Sequence, residues 1–223
     1  MEANEIKGLK LLGDMFSRSL TVRGGIIDGT TQVENVLTDI IAWCFIPTFE
    51  KLDEEVDNQL TEKGIALKSL ILRKLEFEDK INALEDTVRI TNEEIWNANK
   101  KLVKEIGKEL HKIQKFRNLL AHSPLDTSKE YRNNLTTNIN SPSDLRNCPL
   151  QIIVYKKGEA RKQNLDENKV IDEIERIRVT WYKLLQLFAL LKNDSKDAKA
   201  CETLASIDSK ARSKILKHYG LNK

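Results

Sequence analysis

The stretch TNEEIWNANKKLVKEIGKELHKIQKFRNLLAH, residues 91–122, decides the fold class, because it carries the longest helical pattern in the chain. Its apolar residues recur at helical spacing and form one face, namely Leu102, Ile106, Leu110, Ile113, Phe116 and Leu120. The segment Thr91-Asn92-Glu93-Glu94 offers a cap followed by acidic residues in the first turn, whereas Ser123-Pro124 stops the pattern. The sequence therefore predicts one long amphipathic helix that ends at His122.

Three helical patterns precede this helix. The first covers Asn4 to about Leu20, and a glycine-rich break at residues 24–29 separates it from an apolar second helix over about Thr30 to Ile46. Leucines and isoleucines at helical spacing predict a third helix over residues 67–89. We therefore expect a mainly α protein.

Downstream of residue 122 the composition changes twice. Residues 124–149 are rich in Asn, Ser, Thr and Pro, which predicts a surface loop without packed elements. Residues 150–165 alternate around a glycine turn and predict a β-hairpin, and residues 166–192 predict the last main helix. We expect a single domain over residues 1–192 and a small helical appendix over 193–223.

Composition and charge limit the classes of function. The chain has 223 residues, with 37 Lys and Arg against 34 Asp and Glu, so its net charge of +3 does not mark a nucleic-acid binder. Its longest apolar stretch, Val36 to Ile46, is too short to cross a bilayer, and the acidic start Met1 to Glu5 does not resemble a secretory signal. We expect a cytoplasmic protein without a membrane partner.

Sequence motifs for metal, redox and nucleotide sites are not found. Cys44, Cys148 and Cys201 are widely spaced and odd in number, so we expect reduced thiols and no zinc site. Gly24-Gly25 lacks the lysine and hydroxyl residue of a phosphate-binding loop. We therefore expect neither a metal nor a cofactor.

One stripe of the long helix is basic and polar. At about 100° per residue it collects Lys104, Lys108, His111, Lys115, Asn118 and His122, whereas Arg117 falls among the apolar positions. Each feature has a plain explanation: Arg117 can form a buried ion pair, for example with Glu34, His122 can be an ordinary C-terminal cap, and the stripe can be a solvated face. The alternative is that Arg117 and His122 form a site at an interface.

The combination resembles the HEPN domains. Members of that family are helical bundles with an Arg, four to six residues, and then a His, and the match here is Arg117, Asn118, Leu119-Leu120-Ala121 and His122. The order of elements over about residues 20–192, with a hairpin before the last main helix, is also similar to that of bacterial members. The resemblance does not cover the N-terminal segment or the residues after Lys192.

The resemblance implies a metal-independent endoribonuclease that works as a homodimer with a composite site. Cleavage of RNA by attack of the RNA's own 2′-hydroxyl on the adjacent phosphate needs a proton acceptor, a proton donor and positive charge at that phosphate. His122 would be the acid or base, Arg117 would bind the phosphate, and Asn118 would orient the imidazole or the substrate. Lys108, His111 and Lys115 would guide the RNA backbone. By analogy with family members in toxin-antitoxin systems and phage defence, an inhibitor or antitoxin protein is an expected partner.

The spacing of Arg117 and His122 raises a geometric difficulty. Five residues apart on a straight helix, they point about 140° away from one another. Either the helix unwinds at His122, or the Arg of one subunit meets the His of the other across a two-fold axis, which we favour. The competing functions are a non-catalytic HEPN-like module that binds nucleotide, RNA or protein, and a helical adaptor without a nucleic-acid role.

Overall fold

The structure is a computed structural model and describes residues 3–45, 72–156, 158–165 and 167–206. Within these ranges it contains seven α-helices, one 3-10 helix and one two-stranded antiparallel sheet. The predicted fold class, mainly α with a small hairpin before the last main helix, is confirmed.

The elements follow one another in this order: α1 (Ala3–Cys44), the 3-10 helix (Leu72–Lys74), α2 (Phe77–Thr91), α3 (Glu93–His122), α4 (Lys129–Asn138), α5 (Pro142–Asn147), β1 (Leu150–Lys156), β2 (Glu159–Leu165), α6 (Glu167–Leu191) and α7 (Ser195–Ser206). Among the helices of the described ranges, none combines the length and the apolar character needed to span a bilayer.

Helix α1 is a single helix of 42 residues, so the predicted glycine break between two helices was wrong. Buried residues continue at helical spacing straight through the glycines, namely Val22, Ile26, Thr30 and Val33. A glycine costs a helix about 1 kcal/mol relative to alanine. Burying one large aliphatic side chain contributes about 1.5–3 kcal/mol, which outweighs that cost.

The predicted third helix starts later than expected. Its first residues, 67–71, lie outside the described ranges, and the chain then forms the 3-10 helix before α2 begins at Phe77. The backbone N–H of Glu76 donates to the Asp79 carboxylate at 3.3 Å, which fixes this start. The start of α2 is therefore determined by hydrogen bonds at its own N-terminus.

The long helix α3 has the predicted bounds at its start and its end. Glu93 and Glu94 occupy its first turn, and His122 is its last residue. Asn99 has non-helical angles of φ −123° and ψ 19°, and its side-chain amide donates to the Ile95 carbonyl at 3.1 Å. The side-chain amide thereby takes a carbonyl that a backbone N–H of the helix would otherwise use, which accounts for a kink in the first third of the helix.

Residues 124–149 contain two helices, so the prediction of a loop without packed elements was wrong. Ser128 and Ser141 cap α4 and α5, and each accepts a hydrogen bond from a backbone N–H three residues later. Tyr131, Leu135 and Ile139 are buried at a spacing of four residues. These three side chains give the segment an apolar helical face that its polar composition obscures.

The hairpin and the last main helix are as predicted. β1 and β2 pair in antiparallel register from Leu150 opposite Leu165, and Gly158 takes a positive φ of 81° at the turn. The last main helix, α6, ends at Leu191, two residues before Asn193 with its φ of 57°. The appendix contains α7, and its remaining residues lie outside the described ranges.

The chain divides into two compact units, each made of separate stretches. The first consists of Met1–Asp28, Lys115–Glu175 and Asp208–Lys223, and the second of Gly29–Gln114 and Arg176–Ile207. The described core of the first unit includes Met15, Val22, Ile26, Leu120, Leu135 and Ile152. That of the second includes Leu37, Ile40, Ile41, Leu84, Ile106, Leu110, Ile113 and Leu184. The division proposed from sequence, at residue 192, stays a prediction.

Candidate nuclease site at the end of helix α3

Helix α3 stays helical through the candidate motif. The one residue with non-helical angles recorded within it is Asn99, far upstream, so the helix does not unwind at His122. Arg117 is half-buried, whereas Asn118 and His122 are exposed. On such a helix the Arg117 and His122 side chains point about 140° apart. One chain by itself therefore does not bring the two side chains together.

The motif side chains are available for outside contacts. In the part of the chain that the structure describes, Arg117, Asn118 and His122 make no side-chain hydrogen bond or ion pair. Asn118 lies one turn before His122, so both face the solvent on neighbouring positions of the helix. An exposed imidazole beside an exposed amide can bind a polar ligand.

Arg23, on α1, holds the backbone next to His122. Its guanidinium donates hydrogen bonds to the carbonyl oxygens of Leu120 and Ser123, and its Nε donates to the Ser19 hydroxyl at 3.0 Å. Burial lowers the pKa of Arg23 from its usual value. An arginine guanidinium in a protein is charged at neutral pH. A charged donor at a helix C-terminus is favourable, because the last carbonyls lack helical partners.

The role of Arg23 was not predicted from the sequence. Arg23 lies just before the glycine-rich segment 24–29 that was predicted to break the helix, and the two carbonyl oxygens that it binds are 97 and 100 residues away along the chain. The sequence does contain one signal for this role: Ser19 and Arg23 are four residues apart, so they lie one turn apart if the helix continues through the glycines.

The chain that leaves His122 is fixed to the hairpin. The Pro124 carbonyl accepts from the Ile153 N–H at 2.9 Å, and the Asp126 N–H donates to the Gln151 carbonyl at 2.8 Å. Leu125 thereby forms an antiparallel bridge opposite Ile152. Together with Arg23, this bridge holds the end of α3 from both sides of His122.

A buried carboxylate anchors the same segment. Asp126 is 1% exposed, accepts from the Ser128 N–H at 2.8 Å, and lies 3.4 Å from the Lys162 ammonium. Burial acts to raise the pKa of Asp126, but the Ser128 hydrogen bonds and the Lys162 charge outweigh it and hold the pKa below its usual value. Lys162 also binds Glu130 at 2.5 Å. Asp126 therefore stays ionised and keeps the turn rigid at neutral pH.

The predicted partner of Arg117 is engaged elsewhere. The Glu34 carboxylate accepts a hydrogen bond from Lys80 at 2.6 Å, and the Lys80 side chain is 4% exposed. This ion pair of a buried lysine and a half-buried glutamate satisfies Glu34 within the second unit. The ion pair between Glu34 and Arg117 stays a prediction.

The three predicted RNA-contacting residues differ in their surroundings. Lys108 and His111 belong to the second unit and line a groove of about 230 Å³ together with Glu85 and Lys104. Lys104 lies 3.9 Å from Glu85, so the groove is not uniformly basic. Lys115 belongs to the first unit and is exposed. Electrostatic attraction for a phosphate backbone is therefore available at Lys108 and Lys115, which have exposed ammonium groups.

The cysteines have raised thiol pKa values. Burial is the main cause at Cys44, Cys148 and Cys201 alike. A thiol with a raised pKa is a poor nucleophile at neutral pH, because the thiolate is the reactive form. Among the described residues, no group of three or more His, Cys, Asp and Glu side chains is placed to hold a metal ion.

Comparison with known proteins gives no relative from which a function can be transferred. No protein-family model matches the chain, and no curated protein or solved structure matches it either.

Proposed function

We propose that the protein is a metal-independent endoribonuclease of the HEPN type, which cleaves RNA as a homodimer. The observation that carries the proposal is the arrangement at the end of α3. Asn118 and His122 are exposed and unbonded among the described residues, and the backbone around them is held by Arg23 and by the bridge to β1. A reactive group on a rigid support is what an active site requires.

The proposed chemistry uses the two copies of the motif together. The imidazole of His122 from one copy accepts the proton of the RNA 2′-hydroxyl, and the oxygen attacks the adjacent phosphorus. The 5′-oxygen leaves and takes up a proton from solvent water, and the hydroxide that remains is neutralised by the proton held on the imidazolium. The products are a 2′,3′-cyclic phosphate and a 5′-hydroxyl. Arg117 binds the phosphate oxygens, on which negative charge grows in the transition state.

The dimer is needed because of the helix geometry. Arg117 and His122 of one chain lie on different sides of α3, so a catalytic pair must form between chains. A two-fold axis presents each group twice and allows the Arg of one copy to meet the His of the other. Lys108, His111 and Lys115 attract the RNA backbone without reading its sequence. A cytoplasmic setting and an inhibitor or antitoxin protein, in a toxin-antitoxin or phage-defence system, belong to the same proposal.

The direct test is RNA cleavage in the presence of EDTA. We expect the purified protein to cut single-stranded RNA, and we expect His122→Ala and Arg117→Ala each to lower the rate at least about 100-fold with an unchanged circular-dichroism spectrum. The matched control is Arg89→Ala, which removes an exposed arginine paired with Asp86 and should leave the rate unchanged. Full activity of the His122→Ala protein would contradict the catalytic assignment.

A second experiment tests the composite site. The inactive His122→Ala and Arg117→Ala proteins are mixed and allowed to exchange subunits. With equal amounts of the two proteins, half of the dimers then contain one subunit of each variant. Each of these heterodimers has one intact site of two, so about a quarter of the wild-type activity should return. Mixing either inactive variant with itself is the control. Mixed dimers without activity would place the Arg and His of each site on the same chain.

A non-catalytic module that binds nucleotide, RNA or protein is the alternative. The wide angle between Arg117 and His122 within one chain favours it, because no intramolecular catalytic pair exists. RNA binding that both variants weaken, without cleavage by the wild-type protein, would support this alternative and contradict the nuclease.

A further inference from the structure

The N-terminal half of α1 carries an exposed apolar line, which we call the outward stripe: Ile6, Leu9, Gly13, Phe16 and Leu20. Its four large side chains are 54%, 42%, 52% and 54% exposed, in chain order. The spacing alternates three and four residues, which is the heptad pattern of helices that pair lengthwise. The stripe therefore has the geometry of a helix-pairing surface.

Helix α1 needs no second apolar face for its own packing. Met15, Ser19 and Val22 are almost completely buried on the side facing the core of the first unit. The outward stripe lies about 130° around the helix from these buried side chains and extends for about 22 Å. A continuous apolar surface on a folded protein marks an interaction site. Apolar side chains that are exposed singly and far apart are common and do not form such a line.

Gly13 supports close approach of another helix. It is exposed in the middle of α1, and a Cβ added to it would meet no atom within 4 Å. An interior helical glycine costs about 1 kcal/mol relative to alanine, and nothing within the described contacts of Gly13 offsets that cost. A second backbone passing over this position would make use of the missing side chain.

We propose that the outward stripe pairs with the same stripe of a second copy of this chain, in parallel orientation. In heptad terms, Glu5 precedes the stripe at a g position and Lys10 falls at an e position. In a parallel pair the g residue of one helix lies beside the e residue of the other five positions later. Glu5 of each copy therefore meets Lys10 of the other, which gives two ion pairs of complementary charge.

The stripe lies beside the candidate site. Arg23 follows Leu20 by three residues, in phase with Leu9 and Phe16, and it binds the Leu120 carbonyl in the last turn of α3. The pairing of two α1 helices thus sets two α3 ends at the same level of one two-fold axis. This pairing rests on the proposed function, because it names the surface through which the homodimer forms. It is tested by the mass of the protein in solution and not by RNA cleavage.

Sedimentation equilibrium with the full chain tests the pairing. The wild-type protein should be a dimer, and Phe16→Glu should raise the dissociation constant at least about tenfold with unchanged circular dichroism. The matched control is Ile90→Glu, which changes a 76% exposed isoleucine outside the stripe and should leave the mass at that of a dimer. A monomeric wild-type protein, or a Phe16→Glu protein as dimeric as the control, overturns the proposal.

Charge exchange between Glu5 and Lys10 tests the orientation. Glu5→Lys and Lys10→Glu should each weaken the homodimer, because each places like charges opposite one another. Mixing the two variants should restore a dimer, since every facing pair is then of opposite charge. A mixture no more dimeric than the separate variants overturns the parallel arrangement. Nuclease activity without dimerisation through the stripe would refute this inference alone, and a stripe-paired dimer without cleavage would refute the nuclease alone.

Discussion

Arg23 supplies Leu120 with the hydrogen-bond donor that Pro124 lacks. In an α-helix the Leu120 carbonyl would accept from the N–H four residues later, but that residue is a proline without an N–H. The guanidinium of Arg23 occupies this position and also reaches the Ser123 carbonyl. The end of α3, and with it His122, therefore depends on a side chain from α1.

Replacing Arg23 should destabilise the protein. Arg23→Met keeps the aliphatic stem but removes every hydrogen bond of the guanidinium, and we expect the free energy of unfolding to fall by about 2–3 kcal/mol. Urea denaturation followed by circular dichroism measures this change. Arg161→Met is the control, because Arg161 forms an exposed pair with Glu159 and should contribute less than about 0.5 kcal/mol. Equal effects of the two substitutions would show that the contacts of Arg23 are not stabilising.

Glycine substitutions in α1 should have opposite signs at two nearby positions. Gly24→Ala should raise the free energy of unfolding by about 0.5–1 kcal/mol, because the residue is helical and exposed and its new Cβ meets no atom within 4 Å. Gly29→Ala should lower it, since the Cβ would lie 3.1 Å from the Ile177 side chain. Thermal melting curves compare both with the wild type. A destabilising Gly24→Ala would indicate a broken helix at this point.

Acid should weaken the anchor beside the site. The pKa of Asp126 is lowered in the folded protein, so its stabilising contribution is present above the unfolded value of about 3.9 and is lost as the pH falls through the lower folded value. Asp126→Asn should lose about 1–2 kcal/mol at pH 7 and show a smaller loss of stability between neutral pH and pH 3. Urea denaturation at several pH values tests this, with Asp86→Asn as an exposed control. Parallel pH profiles for the wild type and Asp126→Asn would contradict the assignment.

The basic residues should govern the salt dependence of RNA binding. Lys108→Ala and Lys115→Ala should each weaken binding of unrelated RNA sequences equally and reduce the slope of log K against log salt by about 0.7–0.9. Fluorescence anisotropy at several salt concentrations measures both effects. Lys112→Ala is the matched control on the same helix, because its ammonium is held by Glu109 at 2.6 Å. If Lys112→Ala changed the slope as much as Lys115→Ala, the attraction for RNA would come from the net charge of the protein and not from Lys108 and Lys115 in particular.

The elements that sequence analysis predicted well have strong local signals. The end of α3 at His122 follows from the next residues, Ser123-Pro124, and the hairpin follows from its β-branched strand and Gly158. The exposure of His122 follows from helical angles alone. Each of these features depends on residues within one or two turns.

The features that sequence analysis missed depend on distant contacts or on weak patterns. The helix through Gly24 is stabilised by burial of Ile26 and its neighbours, which local propensity does not show. Helix α4 contains several poor helix formers, so the buried positions of Tyr131 and Leu135 were hidden in a polar stretch. The charge on Glu34 is satisfied by a lysine 46 residues away, and no local rule selects that residue.

The bridge from Leu125 to Ile152 also affects how the hairpin meets other proteins. An unpaired strand edge presents N–H and C=O groups that can template the addition of foreign strands and thus aggregation. Leu125 covers part of the free edge of β1, and the exposed residues of β2 include Arg161 and Lys162, whose charges disfavour stacking. The short connection that supports the candidate site thereby also protects this small sheet against fibre-like growth.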